Sequence, residues 1–135
     1  MLYRKLGKTD EMVSILGFGC MRLPLLPGGD PTKVDEKLAI ELVHHAIDAG
    51  VNYIDTAYPY HGTGMASAGQ SEPFVAKALG NGYREKVKLA TKLPSWLIKT
   101  REDMDKYLNE QLERLETDSI DFYLCLAKKK HTIFG

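Results

Sequence analysis

Four short apolar runs, separated by stretches of helical periodicity, constrain this chain more than anything else in its sequence. The runs cover residues 15–21, 51–54, 87–93 and 120–126. The first and last are nearly continuous in apolar character, as expected of strands covered on both faces. Between the first two runs, Leu38, Leu42, Val43, Ala46 and Ile47 recur at helical spacing over residues 35–49, and Gly50 supplies a left-handed stop. Between the next two, Ser71-Glu72-Pro73 predicts a capped helix start, and Phe74, Val75, Ala78 and Leu79 form its apolar stripe. Before the last, Thr100 and Asp103 resemble a capping box, followed by Met104, Tyr107, Leu108, Leu112 and Leu115 on one helical face. Strands alternating with amphipathic helices predict an α/β fold with a parallel sheet of four strands and three helices. Residues 2–6 and 12–15, on either side of Gly7-Lys8-Thr9-Asp10, predict a small β-hairpin ahead of it.

At 135 residues the chain is long enough for one domain with its own core, and no linker, repeat or low-complexity tract divides it. Eighteen basic side chains balance eighteen acidic ones, which argues against a nucleic-acid or anionic-membrane partner. Cys20 and Cys125 lie in apolar runs without CxxC spacing, so no disulfide framework and no metal site is expected, and a cytoplasmic setting fits. No stretch is long and apolar enough to read as a membrane span or secretory leader. The segment 17–22 begins like a dinucleotide-binding glycine fingerprint but runs into prolines instead of a helix, and Gly7-Lys8-Thr9 lacks the earlier glycine of a phosphate loop.

In parallel α/β folds, chemistry gathers where strands end at their carboxyl side. Gly19, Cys20 and Met21 follow the first strand, Asp55, Tyr58 and Tyr60 the second, and Lys92 lies within the third, bounded by Leu93-Pro94. A lysine in the apolar run Leu89-Ala90-Thr91-Lys92-Leu93 needs a carboxylate to offset its desolvation, and Asp55 on the neighbouring strand is the natural partner. A charged Lys92 beside Tyr60 would favour phenolate and make the phenol a better proton donor near neutral pH. Two readings follow: a Tyr60–Lys92–Asp55 trio that protonates a carbonyl oxygen as hydride reaches its carbon, or a structural ion pair with Tyr60 as a plug. His44 and His45 read as surface residues of a helix, His61 as a neighbour of Tyr60 for which a substrate contact is the lesser reading, Trp96 as a rim residue with the substrate mouth as its alternative, and residues 104–115 as core packing.

Residues 53–60, Tyr-Ile-Asp-Thr-Ala-Tyr-Pro-Tyr, the preceding 46–52, the segment 16–23 and Leu89-Ala90-Thr91-Lys92 together resemble the N-terminal part of an aldo/keto reductase, over about residues 1–124. The resemblance implies the N-terminal half of a (β/α)8 TIM barrel and NAD(P)H-dependent reduction of a small-molecule aldehyde or ketone, usually with NADPH. It carries the catalytic roles to Asp55, Tyr60 and Lys92, and contacts with the nicotinamide end of the cofactor to Gly19, Cys20, Met21 and Asp55. The Cys-Met version of that segment is similar to a branch whose members often carry a C-terminal ferredoxin-like segment, which has no counterpart here. The family's fourth catalytic residue, a histidine, falls on Leu126; the nearby His131 lies in a divergent tail, 125–135, that also holds Lys128-Lys129-Lys130. A closed barrel of this kind needs about 250 residues, so a single partial domain, truncated and weakly active or inactive alone, is expected. Its open strand edges offer a route to self-association. A non-enzymatic α/β interaction module is the alternative.

Overall fold

The computed structural model describes residues 1–126. Strands β1 (Tyr3–Lys5) and β2 (Met12–Ser14) form the antiparallel hairpin, with Tyr3 opposite Ser14. The main sheet contains β3 (Phe18–Gly19), β4 (Tyr53–Asp55), β5 (Lys88–Pro94) and β6 (Phe122–Leu126), all parallel and in chain order. Helices α1 (Glu36–Asp48), α2 (Ser71–Ala78) and α3 (Arg101–Arg114) alternate with these strands.

Helices α1 and α3 follow from their local chemistry. The Asp35 carboxylate accepts the Leu38 N–H at 3.2 Å to start α1, and Ala39, Val43 and Ile47, spaced by four, form its buried stripe. Gly50 ends it with φ of +100°, and any larger side chain there would meet Met1 and the Tyr3 hydroxyl at 2.8 Å. Tyr3 in turn donates to the Gly50 carbonyl at 2.8 Å, which fastens the hairpin to the end of α1. The expected capping box of α3 is present: Thr100 accepts from the Asp103 N–H, and the Asp103 carboxylate accepts from Thr100 N–H at 3.0 Å and Lys99 N–H at 2.9 Å. These backbone donors hold the Asp103 carboxyl below its ordinary range. Thr100→Ala is expected to cost about 1 kcal/mol in urea unfolding, with no change in the hairpin.

The core fills the layer between the helices and one face of the sheet, where Ile54 and Leu89 meet Val43, Ile47, Phe74, Val75, Leu79 and Leu115. Several boundaries differ from expectation. The second strand is displaced to Tyr53–Asp55; before it, the Asn52 N–H donates to the Ser14 hydroxyl, and the Asn52 side chain accepts from Ser14 N–H and donates to the Met12 carbonyl. The first strand shrinks to two residues, and Ile15 and Leu16 are 55% and 60% exposed, since among the described residues β3 pairs with β4 alone. Strand β6 is the opposite edge, and its Leu124 is 42% exposed rather than covered on both faces. On α3, Met104 is exposed and Gln111 is the buried residue. Among the described residues, no helix is long and apolar enough to cross a membrane.

Candidate active site

Register sets the site. Asp55, the last residue of β4, lies beside Gly19 of β3 and Ala90 of β5. Lys92 is two residues beyond Ala90, so strand alternation puts its side chain on the same face as Asp55. The Lys92 Nζ donates to Asp55 Oδ1 at 2.5 Å and to the Thr56 carbonyl at 2.8 Å, with the two side chains 13% and 29% exposed. The same ammonium sits 5.0 Å from the centre of the Tyr60 ring. An acid, an ammonium and a phenol from successive elements thus converge at the carboxyl ends of the strands.

Tyr60 is placed by backbone contacts. Its N–H donates to the Ala57 carbonyl at 3.1 Å, and its carbonyl accepts from Ser71 N–H at the start of α2, also at 3.1 Å. Gly69 packs against that carbonyl so closely that an added Cβ would lie 1.9 Å from the Tyr60 oxygen. Ser71 does not cap α2 with its side chain, as its sequence position suggested. Its buried hydroxyl donates instead to the Cys20 carbonyl at 3.0 Å and pairs with the Thr56 hydroxyl at 2.8 Å, joining the ends of β3 and β4.

The segment after β3 divides. An added Cβ at Gly19, the register partner of Asp55, would meet no atom within 4 Å, and Met21 is 56% exposed. Cys20 points the other way, into the core, with its N–H bonded to the Asp55 carbonyl at 2.8 Å. Burial and the Asp55 charge push its thiol up to about 12, against a downward pull from Lys92. The folded chain therefore keeps this proton after the unfolded chain, near 9.0, releases it. The thiol's share of stability is complete below about pH 9 and declines as pH rises toward 12. In alkylation at mildly alkaline pH, exposed Cys125 is expected to be labelled in the folded protein and buried Cys20 only after denaturation. Equal labelling of the two in the folded chain would contradict the placement.

His61 does not face this space. With φ of +57° it turns its ring so that Nδ1 bonds the Pro31 carbonyl at 2.9 Å and Nε2 accepts the Leu23 N–H at 3.1 Å, pinning the loop that follows β3. Trp96 donates to the Met65 carbonyl at 2.9 Å and holds the loop after Tyr60. His44 is half-buried, stacks on Tyr83 at 3.8 Å and bonds the Ala78 carbonyl, whereas His45 is exposed. Leu126 ends β6, and its carbonyl accepts from the Ser95 hydroxyl at 2.9 Å. His131 lies outside the described residues.

Glu72, Thr91, Gln111 and Arg114, none of them a candidate from the sequence, form a largely buried polar cluster behind the Lys92–Tyr60 pair. Glu72 is fully buried and accepts from Thr91, Gln111 and Arg114 at 2.7, 2.6 and 2.9 Å. The available signal was a glutamine on the stripe that also carries Leu108 and Leu115, a polar residue where helical spacing calls for an apolar one. At the opposite end of the strands, a groove of about 560 Å³ is bordered by Arg84, Lys88 and Asp121. Its cations are already paired, Arg84 with Asp121 at 2.9 Å and Lys88 with Glu11 at 2.6 Å.

Comparison with known proteins decides the lineage. The sequence profile of the aldo/keto reductase family matches residues 15–132, most of the chain. The chain belongs to the aldo/keto reductase family. It is 35% identical over 127 residues to the 6-dehydroglucose reductase of Novosphingobium aromaticivorans, spanning 90% of this chain and 40% of that relative. The aldo-keto reductase AKR11C1 from Bacillus halodurans, in its holo form, superposes with a TM-score of 0.69 at 34% identity, covering 91% of this chain and 39% of that one. The thermostable aldo-keto reductase Tm1743, in complex with the inhibitor epalrestat, gives a TM-score of 0.72 at 32% identity over 98% of this chain and 45% of its own. The chain thus spans well under half the length of these family members, whose folds are TIM barrels. The family match begins after the hairpin and reaches past Leu124 into the tail.

Proposed function

We propose that this chain carries the proton-donating half of a carbonyl reductase site, with Tyr60 as the acid, Lys92 as its electrostatic partner and Asp55 as the anchor of Lys92. The observation that carries this reading is the Lys92 ammonium, fixed by Asp55 at 2.5 Å and facing the Tyr60 ring at 5.0 Å, in a chain of this family. When the phenol passes its proton to a carbonyl oxygen, the negative charge left behind meets a cation already in place, so little reorganisation is needed during the reaction. Asp55 and the Thr56 carbonyl compensate the desolvation of the ammonium and stop it from turning toward solvent. Tyr58 is the poorer candidate: burial and the bond to Glu110 at 3.1 Å push its phenol up to about 12.

The residues present fit one end of a nicotinamide cofactor. The absence of any atom within 4 Å of a Cβ at Gly19, beside Asp55 in register, supports a place there for the flat nicotinamide ring, with exposed Met21 following it in the chain, whereas Cys20 is buried and would contribute through its backbone alone. A reduced nicotinamide supplies hydride when bound. The preference for NADPH rests on the family resemblance. Because Leu126 stands where the family's histidine is expected, and the chain spans about two-fifths of its relatives, we infer weak activity or none for residues 1–135 alone. The cytoplasmic setting rests on the sequence, whose two cysteines lie in apolar runs without CxxC spacing.

The test is oxidation of NADPH with a panel of aldehydes and ketones. It compares the chain itself with a barrel completed by the second half of the Bacillus halodurans reductase, with Tyr60→Phe run beside each. Turnover in the completed barrel that survives Tyr60→Phe overturns the reading.

A further inference from the structure

A carboxylate with no exposure to water, placed two residues into α2 and touching neither Lys92 nor Tyr60, requires a reason for its burial. Glu72 has three donors arranged around its two oxygens. The Thr91 hydroxyl and the Gln111 amide reach Oε1 at 2.7 and 2.6 Å, and the Arg114 Nε reaches Oε2 at 2.9 Å. Each donor leads on to the candidate catalytic pair. Thr91 is the residue before Lys92 in β5. Gln111 also donates to the Lys92 backbone carbonyl at 3.1 Å. Arg114 uses its other arm to bond the Gly69 carbonyl. Gly69 is the residue pressed against the Tyr60 carbonyl, and its own N–H donates to the Tyr58 carbonyl at 2.8 Å.

We propose that Glu72 is a positioning residue, which sets the distance between the Lys92 ammonium and the Tyr60 ring by holding the two backbones that carry them through Gln111 and Arg114. The inference rests on the reductase reading for its catalytic meaning, but the geometric claim is independent of turnover. A buried carboxylate with good partners is rigid, because moving any one of them strands a charge away from water. Arg114 suits this task better than lysine because its planar fork serves Glu72 and Gly69 together. Residues fastened only by α2 and α3 packing would tolerate small rotations of either helix. The shared carboxylate removes that freedom at the place where β5 and the loop after β4 approach each other.

The test uses the whole chain and reads the geometry directly. A lysine side chain near the face of a tyrosine ring has its ε-methylene protons displaced upfield by the ring current. The displacement in the unmodified chain, measured by proton–carbon NMR against Tyr60→Leu, in which it vanishes, reports how closely the two side chains approach. Glu72→Gln, which keeps the shape and removes the charge, is expected to lose most of this displacement. Arg114→Lys, which keeps the charge and removes the fork, is expected to lose part of it, and it decides the matter alone if Glu72→Gln does not fold. Asp121→Asn breaks a comparable ion pair with Arg84 at the far end of the strands and is expected to leave the displacement intact while lowering stability. A Lys92 signal unmoved in both Glu72→Gln and Arg114→Lys, or moved as far by Asp121→Asn, overturns the proposal. NADPH oxidation in the completed barrel is scored separately. Its failure removes the reductase reading and leaves the positional result standing, whereas an unmoved Lys92 signal with intact turnover removes only the role of Glu72.

Discussion

Lys92→Met is expected to lower carbonyl turnover in the completed barrel by about 10²–10⁴-fold, and to add almost nothing when combined with Tyr60→Phe. Methionine keeps much of the lysine stem and its contacts along β5 but removes the ammonium that faces the phenol at 5.0 Å. The size of the effect follows from what the cation does. It stabilises a charge that exists only once the proton has left Tyr60, so its loss falls on the transition state and appears in kcat rather than in KM. Two groups that perform one step cannot each be removed at full cost, and the double variant therefore separates the catalytic reading from the structural one. If Lys92 were only one half of an ion pair between strands, Lys92→Met would strand the Asp55 carboxylate, lower stability, and affect turnover independently of Tyr60. Chemical denaturation and initial rates on the same four proteins measure both quantities. Additive losses would favour the structural pair.

That pair was legible before any coordinates because it rests on a strong asymmetry: an ammonium inside an apolar strand is costly alone, and one nearby acid stands at the matching end of the next strand. The helices were legible for similar reasons. Val43 and Ile47 of the expected α1 stripe are buried, although Leu38 and Leu42 are 44% and 43% exposed and the inward place one turn before Val43 falls to Ala39; Thr100 with Asp103 has a local chemistry that does not depend on the rest of the chain. What escaped is what depends on tertiary neighbours. Glu72 looks like an ordinary first-turn acid favoured by the helix dipole, and Arg114 like a solvated last-turn base. Their burial follows from the approach of α2 to α3, which no local pattern encodes. A serine before an apolar stripe usually caps, yet at Ser71 the ends of β3 and β4 offer the hydroxyl buried partners instead. Ile15 and Leu16 carry the opposite lesson: apolar character signals a wish for cover, and a two-residue edge strand with one neighbour leaves them exposed.

Gly69→Ala is expected to be the most damaging of the glycine-to-alanine changes among the described residues, whereas Gly64→Ala, in the same loop, is expected to cost under about 0.5 kcal/mol. A Cβ at Gly69 would lie 1.9 Å from the Tyr60 carbonyl oxygen, 2.6 Å from its carbon and 2.8 Å from the Gly62 nitrogen; at Gly64 it would meet nothing within 4 Å. All three obstacles are backbone, so no rotamer change relieves them, and the chain must move. Absorbing the methyl in place puts the cost at or above the usual overpacking ceiling of about 3 kcal/mol. Moving the loop instead breaks the Gly69 N–H bond to the Tyr58 carbonyl and the Arg114 bond to the Gly69 carbonyl, at about 1 kcal/mol for the first and more for the charged second. The two routes have similar costs, but displacement also relieves the contact with Tyr60, so the loop is expected to open. Urea unfolding should then show a loss of about 2–4 kcal/mol, within the sum of those broken bonds and residual crowding. Proteolysis should cut within residues 61–70, and the ring-current displacement of Lys92 should disappear because Tyr60 moves with the loop. A Gly69→Ala protein with unchanged unfolding and an unmoved Lys92 signal would mean that the Tyr60 carbonyl does not sit against Gly69 in solution.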